Sequence, residues 1–245
     1  MNYNFKTTAL VFCVGFWLQP YTVLAQDSRK HLSLLGVPSA TIAPAGRGFV
    51  ALSYANERLR TPDDTDASLS FGHGFGDAVN GIGFQLDAQV TSLSDNFGDS
   101  GYLTASLSRR ISTSPRVYVG ASIERLLPWG DSRDLDPAVN LMATGFTTLP
   151  LGDGNGTPLM WTLGAGTDVR DRYSEAGFFG GVGIGLSPSL ATSVSYYGDH
   201  VILGLSLQPA ENLYLSASLI DAFDEQQDRR VTISAVWVFD TGLGR

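Results

Sequence analysis

Residues 81–92 alternate almost without fault: Ile82, Phe84, Leu86, Ala88 and Val90 fall on one side of an extended chain, Gly83, Gln85, Asp87, Gln89 and Thr91 on the other. Successive side chains of a β-strand point to opposite faces, so a period of two gives one apolar and one polar face. The pattern returns along the chain. Val117, Val119, Ala121 and Ile123 oppose Tyr118, Gly120, Ser122 and Glu124, and Leu213, Leu215, Ala217 and Leu219 oppose Tyr214, Ser216 and Ser218. Val201, Leu203 and Leu205 oppose Gly204 and Ser206, and the last such segment sets Val231, Ile233, Ala235, Trp237 and Phe239 against Thr232 and Ser234. Weaker versions cover residues 47–55, 67–75, 101–110, 139–148, 159–168, 176–186 and 190–197, about twelve segments in all.

A soluble β-sandwich also alternates, but its outer face meets water and should be rich in Lys, Glu and Arg. Here the polar face is made of small residues: Ser68, Ser70, Gly72 and Gly74; Thr104, Ser106 and Ser108; Gly181, Gly183 and Gly185; Ser193 and Ser195. Small inward residues suit a wall closed on itself around a confined space. The expected fold is therefore all-β, a single antiparallel transmembrane β-barrel of about 12 strands formed by residues 47–245. Tyr54, Phe75, Trp161, Tyr196, Trp237 and Phe239 lie near segment ends, where interfacial aromatic girdles are expected.

The connections are a second test, since one end of such a barrel carries short turns and the other longer loops. Long connections are expected at residues 56–66, 92–100, 125–137, 169–175 and 221–229, and short ones at 76–80, 111–115, 187–189 and 208–212. Two break the pattern: 149–158 is long where a turn is due and 198–200 short where a loop is due, which leaves the count open by one hairpin. The runs ERLRTPDDTD, RLLPWGDSRDLD, RDRYSE and DAFDEQQDRR all fall in the long connections, as solvated loops would.

Residues 1–25 read as a secretory signal peptide, with Lys6 before an apolar run and Val23, Leu24 and Ala25 at the cleavage site. The apolar run is too short to span a bilayer, and no later stretch approaches the roughly 20 residues a membrane helix needs. The only cysteine, Cys13, lies within it, so the mature chain has neither disulfides nor thiolate metal sites. Removing Lys6 and no acid takes the formal charge from -8 to -9, which argues against nucleic acid as a partner. Residues 26–46, with Pro38 and Pro44 and no sustained period, are read as a periplasmic lead-in or a lumenal plug.

Taken together, these features resemble the outer-membrane β-barrels of Gram-negative bacteria, a porin-like class rather than a particular family. The closing strand is similar to the C-terminal signal by which such barrels reach their assembly machinery, with Trp237 and Phe239 as its aromatics, although residues 240–245 follow where an aromatic normally ends the chain. The resemblance implies residence in the outer membrane, contact with its lipid and the assembly machinery as a partner.

The alternation places Asp87, Glu124 and Asp168 on the inner wall, with Gln85, Tyr118 and Tyr214, and puts no Lys or Arg among them. Three inward acids would favour cations in a pore. They would equally be neutralised by serines or by loop arginines such as Arg109, Arg110 or Arg170, and both readings stay open. Tyr102, Met142, Phe146, Met160 and Phe179 also point inward and either line the lumen or close it. The histidines are expected to miss the lumen: His31 in the lead-in, His73 on the lipid side, His200 in a short loop beside Asp199. No nucleophile motif accompanies them, and the run GDGNG at residues 152–156 lacks the ligands of a calcium or phosphate loop and reads as a turn. The expected function is a channel for small solutes with a mild cation preference, with no catalytic, metal or cofactor site. The rivals are a closed structural or surface-interaction barrel and, behind it, an outer-membrane hydrolase.

Overall fold

A computed structural model describes residues 30–56, 66–91, 93, 97–150, 156–170 and 174–243. The signal peptide, the charged run at 57–65 and residues 152–155 of the GDGNG run lie outside the described residues. Twelve strands stand among the described residues: β1 (Arg47–Ala55), β2 (Asp66–Gly76), β3 (Gly83–Val90), β4 (Gly101–Thr113), β5 (Arg116–Trp129), β6 (Ala138–Leu149), β7 (Thr157–Arg170), β8 (Glu175–Gly185), β9 (Leu190–Tyr197), β10 (His200–Ala210), β11 (Leu213–Ile220) and β12 (Arg230–Asp240). Each pairs antiparallel with its sequence neighbours, and β1 pairs with β12 from Arg47↔Asp240 to Ala55↔Thr232, closing the barrel. Closure satisfies the backbone groups that an edge strand would leave open, which a bilayer demands.

The outer face is apolar and exposed. Leu52, Leu141, Leu163, Phe178, Leu205 and Ile233 all lie outward, among many others. No soluble protein leaves so continuous an apolar surface to water, so this belt is the lipid-facing side of a transmembrane barrel. Trp237, Phe239 and Phe75 are exposed at the end that carries the start of β1 and the finish of β12, here the terminal end, while Tyr54 and Tyr196 are exposed at the opposite, loop end.

Both irregular connections are real, and no hairpin is missing. Gly198 and Asp199 alone join β9 to β10, with Gly198 at φ 69°. Any side chain there would stand 2.0 Å from the Val169 carbonyl oxygen, so the tight turn requires glycine. At the other anomaly β6 runs to Leu149 and β7 starts at Thr157. The β4–β5 hairpin is longer than its alternation suggested. Residues 111–113 and 125–129 belong to strands rather than connections, and a short 3-10 turn, Gly130–Asp134, follows.

Residues 30–45 do not hang below the barrel. They run inside it near the terminal end, passing β8–β10 first, then β4–β6, then β2 and β3 before entering β1. Leu34, Leu35, Val37, Ala40, Ile42 and Ala43 are all buried. A twelve-stranded wall faced with Gly, Ser and Thr is too wide for its own side chains to fill, and this segment supplies the missing volume. It approaches so closely that wall glycines are obligatory. A Cβ on Gly74 would lie 2.0 Å from the Ala43 oxygen, and one on Gly183 2.0 Å from the Ser33 oxygen.

Candidate functional site: the barrel lumen

Two apolar clusters seat the inner segment at the terminal end of the lumen. Leu34, Val37 and Ala40 pack with Tyr118, Met142, Phe146, Met160 and Phe179, while Leu35 and Ala43 pack with Phe49, Tyr214, Val236 and Val238. Full burial of each aliphatic side chain contributes about 1.5–3 kcal/mol. Tyr118 meets Phe146 edge-on, ring centroids 6.1 Å apart, and Tyr214 takes a hydrogen bond from Gln208 at 3.1 Å and lies 5.9 Å from the His31 ring. Tyr118 and Tyr214 thus face inward, but as seats for the segment.

Polar groups of the wall reach the segment's backbone. The Leu35 N–H donates to Ser193 Oγ at 3.2 Å, and Ser195 Oγ donates to the Leu35 carbonyl at 2.7 Å. Ala40 is held the same way, its N–H on Thr144 Oγ1 at 2.9 Å and its carbonyl bonded by the Ser108 hydroxyl. The Ala43 N–H donates to Gln85 Oε1 at 2.7 Å. Each backbone group buried here without a partner would be expensive, so the hydroxyls on the wall are fixed by the segment they bind.

Gln85 carries this network upward. Its Nε2 donates to both oxygens of Asp87, at 3.0 and 2.9 Å. Asp87 lies opposite Gly72, where any side chain would stand 2.1 Å from its Oδ1. Farther toward the loop end, Glu124 accepts from Asn140 Nδ2 at 2.7 Å. Asp168 is ion-paired with Arg125, and Tyr197 donates to the Asp168 carbonyl oxygen at 3.2 Å. Gln85, Asp87, Glu124, Asn140, Arg125 and Asp168 make one charged lane on the inner side of β3, β5, β6 and β7. Its three carboxylates exceed its one guanidinium by two formal negative charges.

Arg125 corrects the sequence reading, which placed it in a loop and no cation on the wall. Leu103 pairs with Leu126 and Ala105 with Ile123, so Thr104 faces two residues, Glu124 and Arg125, across a β-bulge. Arg125 sits at φ 58°, and the extra residue turns both neighbouring side chains inward. The signal was present: two adjacent charges between Ile123 and Leu126, with the apolar alternation resuming one residue late. Arg170 instead pairs with Glu175 at 3.1 Å.

Two histidines also depart from expectation. His31 and His200 are both buried. His31 Nε2 lies 2.8 Å from Ser206 Oγ, and burial holds its imidazole below the ordinary value, partly offset by a hydrogen bond with Gln208. His200 opens β10 with the inward parity of Ile202, Gly204 and Ser206, because the preceding turn is only two residues long, and its Nδ1 lies 3.2 Å from Asp199 Oδ1. His73 keeps its outward parity, with Nε2 2.7 Å from Thr241 Oγ1. No group of three or more His, Cys, Asp or Glu among the described residues could hold a metal ion.

At the seam, Trp237 and Phe239 face lipid, and the pairing with the chain before β1 continues one residue past β12. Thr241 donates to the Gly46 carbonyl from its N–H at 2.9 Å and from its hydroxyl at 3.0 Å, and Arg47 pairs with Asp240 at 3.3 Å.

No family model and no curated protein matches the chain. Among solved structures it is similar to the outer membrane protein Omp33 of Acinetobacter baumannii, at 10% identity and TM-score 0.49, over 80% of this chain and 98% of that one. It is also similar to the COG4313 outer membrane channel from Pseudomonas putida F1, at 12% identity and TM-score 0.47, over 83% and 99%. A triple mutant of Rh. blastica porin matches at 11% identity and TM-score 0.33, over 85% and 100%.

Proposed function

We propose that this chain is a porin-like channel for small solutes in the outer membrane of a Gram-negative bacterium, cation-preferring and held shut at its terminal end by residues 30–45. The charged lane carries this reading. A closed barrel made only for structure gains nothing from setting Asp87, Glu124, Asp168 and Arg125 on an inner wall where burying a charge is expensive. An excess of carboxylate on a wall backed by low-dielectric lipid attracts cations. The lipid belt and the lipid-facing Trp237 and Phe239 support contact with outer-membrane lipid and delivery by the barrel assembly machinery.

Single-channel recording in a planar bilayer tests it. With residues 30–45 loosened by Leu34→Ser/Leu35→Ser, reversal potentials across a salt gradient at low ionic strength should show cation preference, reduced when Asp87→Asn/Glu124→Gln is added; anion preference, or no change on adding those two substitutions, would sink the reading. The rival, a barrel without conductance, draws support from the apolar clusters packed around residues 30–45. It requires a silent record even after that segment is loosened.

A further inference from the structure

The wall bonds the main chain of the inner segment at several points. At Leu35 and again at Ala40 the wall binds both the N–H and the carbonyl, through Ser193 with Ser195 and through Thr144 with Ser108. Gln85 takes a further N–H, from Ala43, and the Ser187 carbonyl takes that of His31 at 2.8 Å. Groups of this kind are common to every peptide, whatever its side chains. Glycines at 74 and 183 let a backbone come within contact distance of the wall, where a side chain on the wall would collide. Its side chains add aliphatic seats, such as those of Leu34 and Leu35, and three contacts of polar side chains, Lys30 with Thr157, His31 with Ser206 and Ser39 with Thr144. Main-chain hydrogen bonds for affinity with alternate pockets for selection is how proteins recognise extended peptides.

We propose that this cradle is a binding site for extended oligopeptides with small or aliphatic side chains, residues 30–45 being its resident occupant. Resting on the channel reading, this makes such peptides the class of solute the lumen takes. The same Gln85 that holds the Ala43 N–H also bonds Asp87, so a carboxylate borders the cradle where a peptide's terminal ammonium group would be attracted.

The test uses the full chain in detergent, with Cys13 absent after signal cleavage or replaced by Ser, and a fluorophore on Lys30→Cys. An octapeptide of alternating Leu and Ser, its backbone N-methylated counterpart and a maltooligosaccharide are titrated in. The peptide should shift the label saturably, the N-methylated form should be weaker by about tenfold or more, and the sugar should do nothing. In Leu34→Ser/Leu35→Ser, whose folding is checked by heat-modifiable migration, the peptide should act at a concentration lower by about a hundredfold or more because the occupant is loosened. Equal action of the peptide and its N-methylated form, or no label shift in either protein, would overturn the proposal. The fluorescence does not depend on ion flow. Displacement with a silent bilayer record would sink the channel and keep the cradle, and conductance without displacement would do the reverse.

Discussion

The two halves of the lumen solve the same problem differently. Toward the terminal end the wall carries Gly, Ser, Thr and apolar side chains, and what it encloses is another part of the same chain. Toward the loop end, on β5 to β7, inward side chains are charged or amide-bearing and find partners on the wall itself, Glu124 on Asn140 and Asp168 on Arg125. Small residues therefore need not mean an open space: at Gly74, Gly183, Ser193 and Ser195 they mark where a backbone lies against the wall. Gln85 is the junction, one amide oxygen on the segment and one amide nitrogen on Asp87.

The harshest way to break this contrast is to deny the segment its room. Gly74→Val/Gly183→Val places side chains where the Ala43 and Ser33 oxygens stand, each costing about 1–3 kcal/mol of overpacking. The segment should be expelled, so protease followed by mass spectrometry should cut residues 30–45 in the variant and spare them in the parent. Continued protection would mean that the two halves do not differ as described.

Arg125→Gln attacks the other half. Asp168 would keep its charge without its partner, at a cost of about 2–3 kcal/mol read by urea denaturation in detergent. The protease pattern should stay that of the parent, and in the Leu34→Ser/Leu35→Ser background the reversal potential should move further toward cations. A shift toward anions would place Arg125 outside the conducting path.

Ser193→Ala sharpens the comparison at one bond. Loss of the acceptor for the Leu35 N–H should weaken docking by about 1 kcal/mol, seen as faster hydrogen exchange at that amide with Asp168 and Glu124 unaffected. If exchange there is unchanged, the hydroxyl is not what holds the backbone.

The smallest expected effect is one of pH. Burial favours the neutral form of His31, so its contribution to docking is complete above the ordinary imidazole value of about 6.5 and declines as pH falls below it. Protease susceptibility of residues 30–45 should rise modestly on acidification in the parent and not in His31→Gln. An identical rise in both proteins would assign the effect to other groups.

Much of the architecture was legible in the sequence. Twelve alternating segments, the inward parity of Asp87, Glu124, Asp168, Gln85, Tyr118 and Tyr214, and the lipid-facing Trp237 and Phe239 all follow from a period of two, because strand geometry fixes which side each residue takes. The places where the reading slipped are those where that period is interrupted or irrelevant. The bulge at Glu124 and Arg125 adds one residue and brings in an arginine, and the two-residue turn after Tyr197 turns His200 inward.

The sequence by itself determined the wall: its strands, its two faces and the closure that an apolar exterior requires. Only the tertiary structure decided what stands inside it. Residues 30–45 have no period, and their place depends on hydroxyls and glycines contributed by strands from β2 to β10, up to 175 positions away in the chain between His31 and Ser206. Periodicity reports the direction of a side chain relative to its own strand; which groups meet across a lumen depends on closure, strand stagger and the volume left over, and none of these is written in any single segment.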